Sequence, residues 1–529
     1  MGQKQSTLTK EGYTLERETE HGYVVTKDGE KFLIITNIKG SKNVELIQEM
    51  NTLKDTGHPH IMSIKETFKD EALNDYVVTE YCEGGTLAEK MREKSFKEPE
   101  ALSMIAEVCM ALRSMHEKNV LHKHLTPQNI FLTEFGKVCL GGFCKVKEKY
   151  YILLNEGVWY QAPEVFTNQT YDAKSEVWSL GCILYELCTQ KSAFSAENTV
   201  DLVSKFSCGS GPHLDDEFSE EFRELLSAMF QKDPNSRPTA CEILERHITL
   251  TCIFNKCKTT AEYLQTQLVK LKAVADNLER VHTGTTIGSL AGGVVGAAGG
   301  IATIVGLALS PFTMGASLIV TGTGVAVSVA GGVTAGASNI TNMVTQSSDR
   351  KAVRRIIKEF EEKVNALATW LQEIGRSLVT MKKCLPANIT RDEGSSFKED
   401  NQAKAAVRLG KGLGTVTELF RHLRVANIGK IAGQASRSVR VAEVATGALS
   451  GLFVAVDIFF IAVDAKEIHN IRQTQEDGET SSEIMKFVLS IRKSAKELQE
   501  VLDEFKETIS SVKFLDDKSE LEWDCSVSQ

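Results

Sequence analysis

The spacing of apolar residues changes along the chain. Residues 13–80 hold short alternating runs such as YVVTKDGEKFLII, IMSIKETF and DYVVTE. A period of two predicts strands. After Gly85 the spacing lengthens to three and four, which predicts helices to about residue 250. Three long charged helices follow. Leu264, Leu268, Leu271, Ala275 and Leu278 form the seam of the first. Val353, Ile357, Phe360, Val364, Leu367, Leu371, Ile374, Leu378 and Met381 form the second. Ile484, Val488, Ile491, Ala495, Leu498, Leu502, Phe505, Ile509 and Val512 form the third, with Thr480 and Glu483 as a capping-box pair at its start. Such seams predict helices of one bundle rather than independent coiled coils.

Between the first two seams the pattern vanishes. Residues 281–348 contain no Asp, Glu, Lys or Arg, in a chain that is 25% charged. Pro311 splits this stretch into two apolar halves, each long enough to cross a hydrocarbon core of ~30 Å. Gly288, Gly292, Gly296 and Gly300 share one helix face, and Gly324, Ser328, Gly332 and Gly336 repeat the spacing. Small residues every fourth position let helix backbones approach closely in lipid. The expectation is a membrane-inserting hairpin. The competing reading is a buried Gly-rich hairpin in a soluble bundle. A second apolar run, ALSGLFVAVDIFFIAVDA, contains Asp457 and ends at Asp464. An ionisable group in an apolar helix suggests function, so Asp457, and Asp464 less strongly, are the candidate pH-sensing residues. The alternative is a buried, hydrogen-bonded Asp. The preceding basic segment, RLGKGLGTVTELFRHLRVANIGKIAGQASRSVRVAEV, suits either an anionic membrane surface or a solvated helix pair.

Bulk composition changes little. The net charge of -9 on 529 residues argues against a nucleic-acid partner. Cys82, Cys109, Cys139, Cys182 and Cys188 sit in apolar surroundings and read as reduced, buried thiols, while Cys252 and Cys257 lack the partners of a metal site. The opening MGQKQS has no apolar signal region but fits an N-myristoylation pattern, with Gly2 as acceptor and Ser6 behind it. The expected location is therefore intracellular, on the cytoplasmic face of membranes, with secretion not expected. One acyl chain anchors weakly, and the uncharged stretch supplies a second signal.

HPHIMSIKETF, VVTEYCEGGTL, HKHLTPQNIFLT, QAPEVF, SEVWSLGCILYELCTQKSAF and KDPNSRPTACEILE occur in that order in the first half. This half resembles the NIMA-related (NEK) protein kinases. The resemblance implies a two-lobed α+β kinase fold, with Glu164 of Ala162-Pro163-Glu164 paired to Arg237, and Trp178 and Gly181 on the organising helix of the lower lobe. At the positions that carry phosphoryl transfer, this sequence departs from the family. The phosphate loop ERETEHGYVV has one glycine, and Ile35 falls where the strand lysine belongs. Glu49 matches the helix glutamate, without that lysine as partner. His124 stands at the catalytic aspartate, Thr126 at the nearby lysine, Asn129 at the metal-binding asparagine, and Gly142 at the magnesium aspartate. Each change removes part of the electrostatic stabilisation. The expectation is a non-catalytic pseudokinase, with no cofactor and no ATP or magnesium binding, kept to bind a protein partner.

The second half, through RVHTGTTIGSLAGGVVGAAGGIATIVGLALSPFTMGASL and FVAVDIFFIAVDAKEIHNI, resembles the apolipoprotein L family. That resemblance implies an all-α helical bundle with a membrane hairpin that binds lipid membrane and, in some members, forms pores. The expected organisation is an N-terminal arm at 1–12, the kinase-like domain at 13–250, a connecting helix at 251–282 and the hairpin at 283–346. A heptad helix at 347–385, a linker with basic helices at 386–443 and the acid-containing apolar helix at 444–466 follow. A C-terminal heptad helix at 467–514 and an acidic tail at 515–529 complete it. The function expected is a non-catalytic, membrane-associated regulator. The alternatives are a membrane-tethered, ATP-binding serine/threonine kinase and a soluble lipid carrier.

Overall fold

The computed structural model describes residues 7–37, 57–71, 74–143, 156–167, 170–194, 217–291, 335–383, 428–470 and 478–512, with short pieces inside 49–55 and 196–215. The chain divides into two compact units, one of residues 1–256, 373–432 and 513–529, the other of 257–372 and 433–512.

The first unit opens with a five-stranded antiparallel sheet. Its strands are β1 (Thr14–Thr19), β2 (Gly22–Lys27), β3 (Glu30–Asn37), β4 (Ile64–Lys69) and β5 (Asp75–Glu80), in the order β1-β2-β3-β5-β4. β2 and β3 are rich in β-branched and aromatic residues, and Asp28 and Gly29 join them with φ of 54° and 80°. An Asp-Gly pair with positive φ at both residues matches the right-handed twist of the two strands. Tyr13, Val25, Ile34, Tyr76 and Val78 make the sheet's core. Tyr76 stacks on Phe68 with ring centroids 4.9 Å apart.

A helical region follows. α1 (Leu87–Glu93) starts at a reciprocal Thr86–Glu89 capping box. α2 (Glu98–His116) is buried around nearly its whole circumference, by Ile105, Val108, Met110, Leu112 and Met115 and by the paired Glu107 and Arg113. A helix covered on all sides belongs in a core, and its charged residues there must be paired. It packs against α4 (Ala173–Thr189), α6 (Ala240–Leu244) and β7 of a small β6 (Ile130–Leu132)–β7 (Val138–Leu140) ribbon. α3 (Pro163–Thr167) and α5 (Glu220–Met229) complete the lobe. Several acids in this unit are buried with partners, Glu107 and Glu373 among them. Glu107 accepts a hydrogen bond from the Val138 amide at 3.0 Å and meets the Lys256 ammonium. Glu373 meets the Arg113 guanidinium.

Four long helices follow: α7 (His247–Ala291), α8 (Ala335–Lys383), α9 (Ile428–Asn470) and α10 (Gly478–Ser511). In the second unit they form a bundle. The seam residues Leu264, Leu268, Ala275, Val364, Leu367, Leu371, Val488, Ala495, Leu498, Leu502 and Phe505 are all buried. Polar pairs tie the rims. Tyr263 donates to Glu359 at 2.6 Å, Gln265 pairs with Gln499, and Arg492 binds Asp276 at 2.9 Å. The seam helices pack as parts of one bundle rather than as separate coiled coils.

Three sequence expectations change. The basic segment and the acid-containing helix do not part at 443/444, because α9 is continuous through RVAEVATG. α7 likewise runs through residue 250 without a break. α10 begins at Gly478, two residues ahead of Thr480, so Thr480 lies within the helix rather than at its start. Gly288 falls within α7 and Gly336 within α8, whereas Gly2, Gly292, Gly296, Gly300 and Gly332 lie outside the described residues.

Candidate functional site

The candidate site lies between the five-stranded sheet and the β6–β7 ribbon. The segment joining β5 to α1 approaches β6 closely. The Gly84 amide donates to the Leu132 carbonyl at 3.0 Å, and the Leu132 amide to Gly85 at 2.8 Å. A Cβ on Gly84 would sit 2.4 Å from the Thr133 carbonyl oxygen, so only glycine fits. Met62, Cys82, Phe131 and Cys139 form an apolar floor beneath the sheet, with Phe143 against it.

The loop from His122 to Asn129 is held by its own polar groups. The His122 ring lies 2.6 Å from the Gly141 carbonyl oxygen and is buried, which pushes its pKa down. The His124 amide donates to His122 Nδ1 at 3.3 Å. The Asn129 side-chain amide donates to the His124 carbonyl at 2.7 Å. Thr126 precedes the single turn Pro127–Asn129 and is buried. Lys123 has a φ of 68°, and its amide donates to Glu176 at 2.8 Å. Glu176 is fully buried on α4 and also meets His116 at 2.6 Å and the Tyr171 hydroxyl at 3.3 Å. Sequence reasoning missed Glu176. Its signal was an acid inside an otherwise apolar helix just after the Asp172 cap.

The structure places the other candidates as follows. Ile35 lies on β3, opposite Val77 of β5. Glu49 is not left alone by the absence of a strand lysine. Lys123 Nζ reaches it at 2.9 Å, a cation supplied from the loop instead of the sheet. Gly142 has φ +80°, and a Cβ there would fall 2.5 Å from the Asn129 side chain. Glu164 and Arg237 form the expected pair through two hydrogen bonds of 2.7 and 2.8 Å, with Arg237 1% exposed. Trp178 lies 5.0 Å from that guanidinium. A Cβ on Gly181 would come 3.1 Å from the ring of Phe230.

Away from the cleft, Asp457 of α9 is met by Arg354 of α8, with Nη2 at 2.6 Å and Nε at 3.1 Å from one carboxylate oxygen. It is therefore an ion-paired acid between two helices, close to the alternative reading of a satisfied Asp. Asp464 lies further along α9. Cys82, Cys109, Cys139 and Cys182 are buried free thiols, and Cys188 is half-buried. Burial pushes the Cys188 thiol up to about 12.

Comparison with known proteins fits both halves. The protein kinase domain family matches residues 19–248, and the apolipoprotein L family matches residues 214–507. Among relatives, mouse serine/threonine-protein kinase Nek1 is 36% identical over 233 residues, 42% of this chain and 19% of the relative. Mouse serine/threonine-protein kinase Nek4 is 31% identical over 277 residues, 49% of this chain and 35% of its own. Mouse serine/threonine-protein kinase Nek3 is 35% identical over 213 residues, 38% of this chain and 40% of its own. The chain thus spans less than half the length of these curated relatives.

These matches correct two expectations. The readings "not an enzyme" and "no ATP or magnesium" rested on the one-glycine loop ERETEHGYVV and on Ile35, His124, Thr126 and Gly142. The family match extends over the whole kinase frame, and the relatives bear the names of serine/threonine-protein kinases. Residue identities at a few positions are weaker than they look, because a positioned imidazole is itself a competent general base. The N-terminal half is a protein kinase domain related to the NEK kinases, and since the second match covers more than half of its length, the chain belongs to the apolipoprotein L family.

Proposed function

We propose that this chain is a membrane-associated serine/threonine protein kinase whose apolipoprotein-L-like bundle carries the kinase domain to lipid. The observation that carries the reading is the ordered loop of His122, His124 and Asn129 on an intact Glu164–Arg237 frame. The apolar floor of Met62, Phe131 and Cys139 suits a flat base. His124 stands at the base position, where a neutral imidazole accepts the hydroxyl proton of a protein substrate. Bound magnesium neutralises phosphate charge in this reaction class. Asn129 would be the ligand this chain offers it, while Gly142 offers no carboxylate, so the fit for the metal is partial.

Support for the membrane role comes from α9. Within Ile428–Phe459, α9 holds a stretch long and apolar enough to cross a bilayer. Val444, Val454 and Ile458 are more than half exposed, and Gly447 and Gly451 between them meet no neighbour. Lys430, Arg437 and Arg440 precede this stripe and are exposed. An apolar stripe behind a basic one suits an anionic, cytoplasmic membrane face. Pore formation would be a further step of the same half.

The test is phosphotransfer from labelled ATP, with magnesium or manganese, to generic serine and threonine substrates. The full chain should transfer label, and His124→Ala should lose it. Background counts from the wild type overturn the kinase reading. Flotation with phosphatidylserine vesicles tests the second half. A chain that stays in the dense fraction refutes membrane carriage.

A further inference from the structure

The tip of the β1–β2 turn points a ring into the cleft. The His21 ring centroid lies 5.1 Å from that of Phe131, with the planes at 73°, an edge-on contact. Phe131 belongs to the apolar floor with Cys82 and Cys139. Turn tips are ordinarily solvated. The His21 side chain is 11% exposed, while its neighbour Glu20, whose carboxylate lies 3.1 Å from His21 Nε2, is 73% exposed. The backbone fixes this direction. Gly22 has φ +146°, and a Cβ there would come 2.3 Å from the Ile34 carbonyl oxygen, so the turn lies tight on β3. Thr19 Oγ1 donates to the Gly22 carbonyl at 3.0 Å and closes the turn on itself.

In a kinase fold the nucleotide lies between this turn and that floor. One volume does not hold both an imidazole and a nucleotide. We propose that His21 is an internal plug of the nucleotide cleft, which must swing off Phe131 before a nucleotide enters. The ligand's identity rests on the kinase reading above, but the plug does not depend on phosphotransfer. A site that is open for only a fraction of the time binds more weakly by that fraction. An edge-on aromatic contact holds the closed state by about tenfold.

The experiment uses the full chain and two readouts. The first is titration with N-methylanthraniloyl-ATP and magnesium, followed by fluorescence. The second is the rate of Cys82 alkylation by iodoacetamide, mapped by mass spectrometry. His21→Ala should bind the nucleotide about tenfold more tightly and expose Cys82 to faster alkylation. His21→Phe keeps a ring on Phe131 and should follow the wild type in both. Unchanged Cys82 alkylation in His21→Ala overturns the plug, as does a His21→Phe variant that behaves like His21→Ala. Faster alkylation in His21→Ala, with no nucleotide bound by either protein, upholds the plug and sinks the nucleotide reading instead.

Discussion

Lys256→Met should destabilise the kinase half strongly at neutral pH and less in acid. Glu107 is 1% exposed on α2, and its carboxylate has three partners: Lys256, the Val138 amide at 3.0 Å and His60 at 3.4 Å. His60 is fully buried, which holds its pKa down and leaves it a neutral neighbour. Lys256 is then the charge that compensates Glu107. Burial pushes the Glu107 carboxyl up, but Lys256 and the hydrogen bonds outweigh it and hold the pKa below its ordinary value. A depressed folded-state pKa gives stability that is present above the unfolded value and lost as pH falls through the folded one. Methionine keeps the length of the side chain and leaves the carboxylate buried without its cation. Breaking a buried pair in this way costs about 3–5 kcal/mol, or roughly 10 °C in a domain of this size. Glu107 in the variant then gains by taking up a proton, so the gap from wild type should narrow between pH 7 and pH 4.5. The assay is thermal unfolding by circular dichroism across that range. Glu107→Gln combined with Lys256→Met should recover most of the loss, since the amide keeps an acceptor for Val138. A drop under about 1 kcal/mol, or one that does not change with pH, would refute the compensation argument.

Arg237→Met should also cost about 3–5 kcal/mol, because it strands the buried Glu164, and urea unfolding of the full chain would show an unchanged midpoint if that is wrong. Lys123→Met should cost under about 1 kcal/mol, since the Lys123–Glu49 pair is half in solvent and screened, and a loss several times larger in thermal unfolding would mean that the pair organises the cleft. Asp457→Asn removes the partner of Arg354 and a charge from an apolar helix, so dye leakage from anionic vesicles should rise at neutral pH; leakage equal to wild type would remove Asp457 as a control point. Gly2→Ala should abolish labelling by an alkynyl myristate, and equal labelling of both proteins would show the N-terminal match to be accidental.

Short-range patterns read through to the structure. The buried faces of α7, α8 and α10 follow from heptad spacing, because burial of one helix face is a local property of the sequence. Glu164 and Arg237 were legible because both stand in motifs whose order fixes the fold. Contacts set by the loop backbone were not. Lys123, with a φ of 68°, reaches Glu49, 74 residues away. His21 meets Phe131 from a turn that Gly22 lays tight on β3. The continuity of α9 was missed because a change from basic to apolar composition looks like a boundary, although neither composition breaks a helix. The largest error was functional, since four substituted positions outweighed a frame of more than two hundred residues.

Gly142 and Asn129 tie the history of this site to the order of mutation. Any side chain at 142 would meet Asn129 at 2.5 Å, so the two positions are not free to vary independently. A single step from Gly142 to aspartate enters a space that the asparagine already fills. The step becomes acceptable only after Asn129 has taken another rotamer or another identity, and either change releases its hydrogen bond to the His124 carbonyl. The shortest genetic route to a carboxylate at this position therefore passes through an intermediate with a loosened loop. In that sense positions 142 and 129 act as one unit, and a side chain at 142 must displace the asparagine that holds the loop.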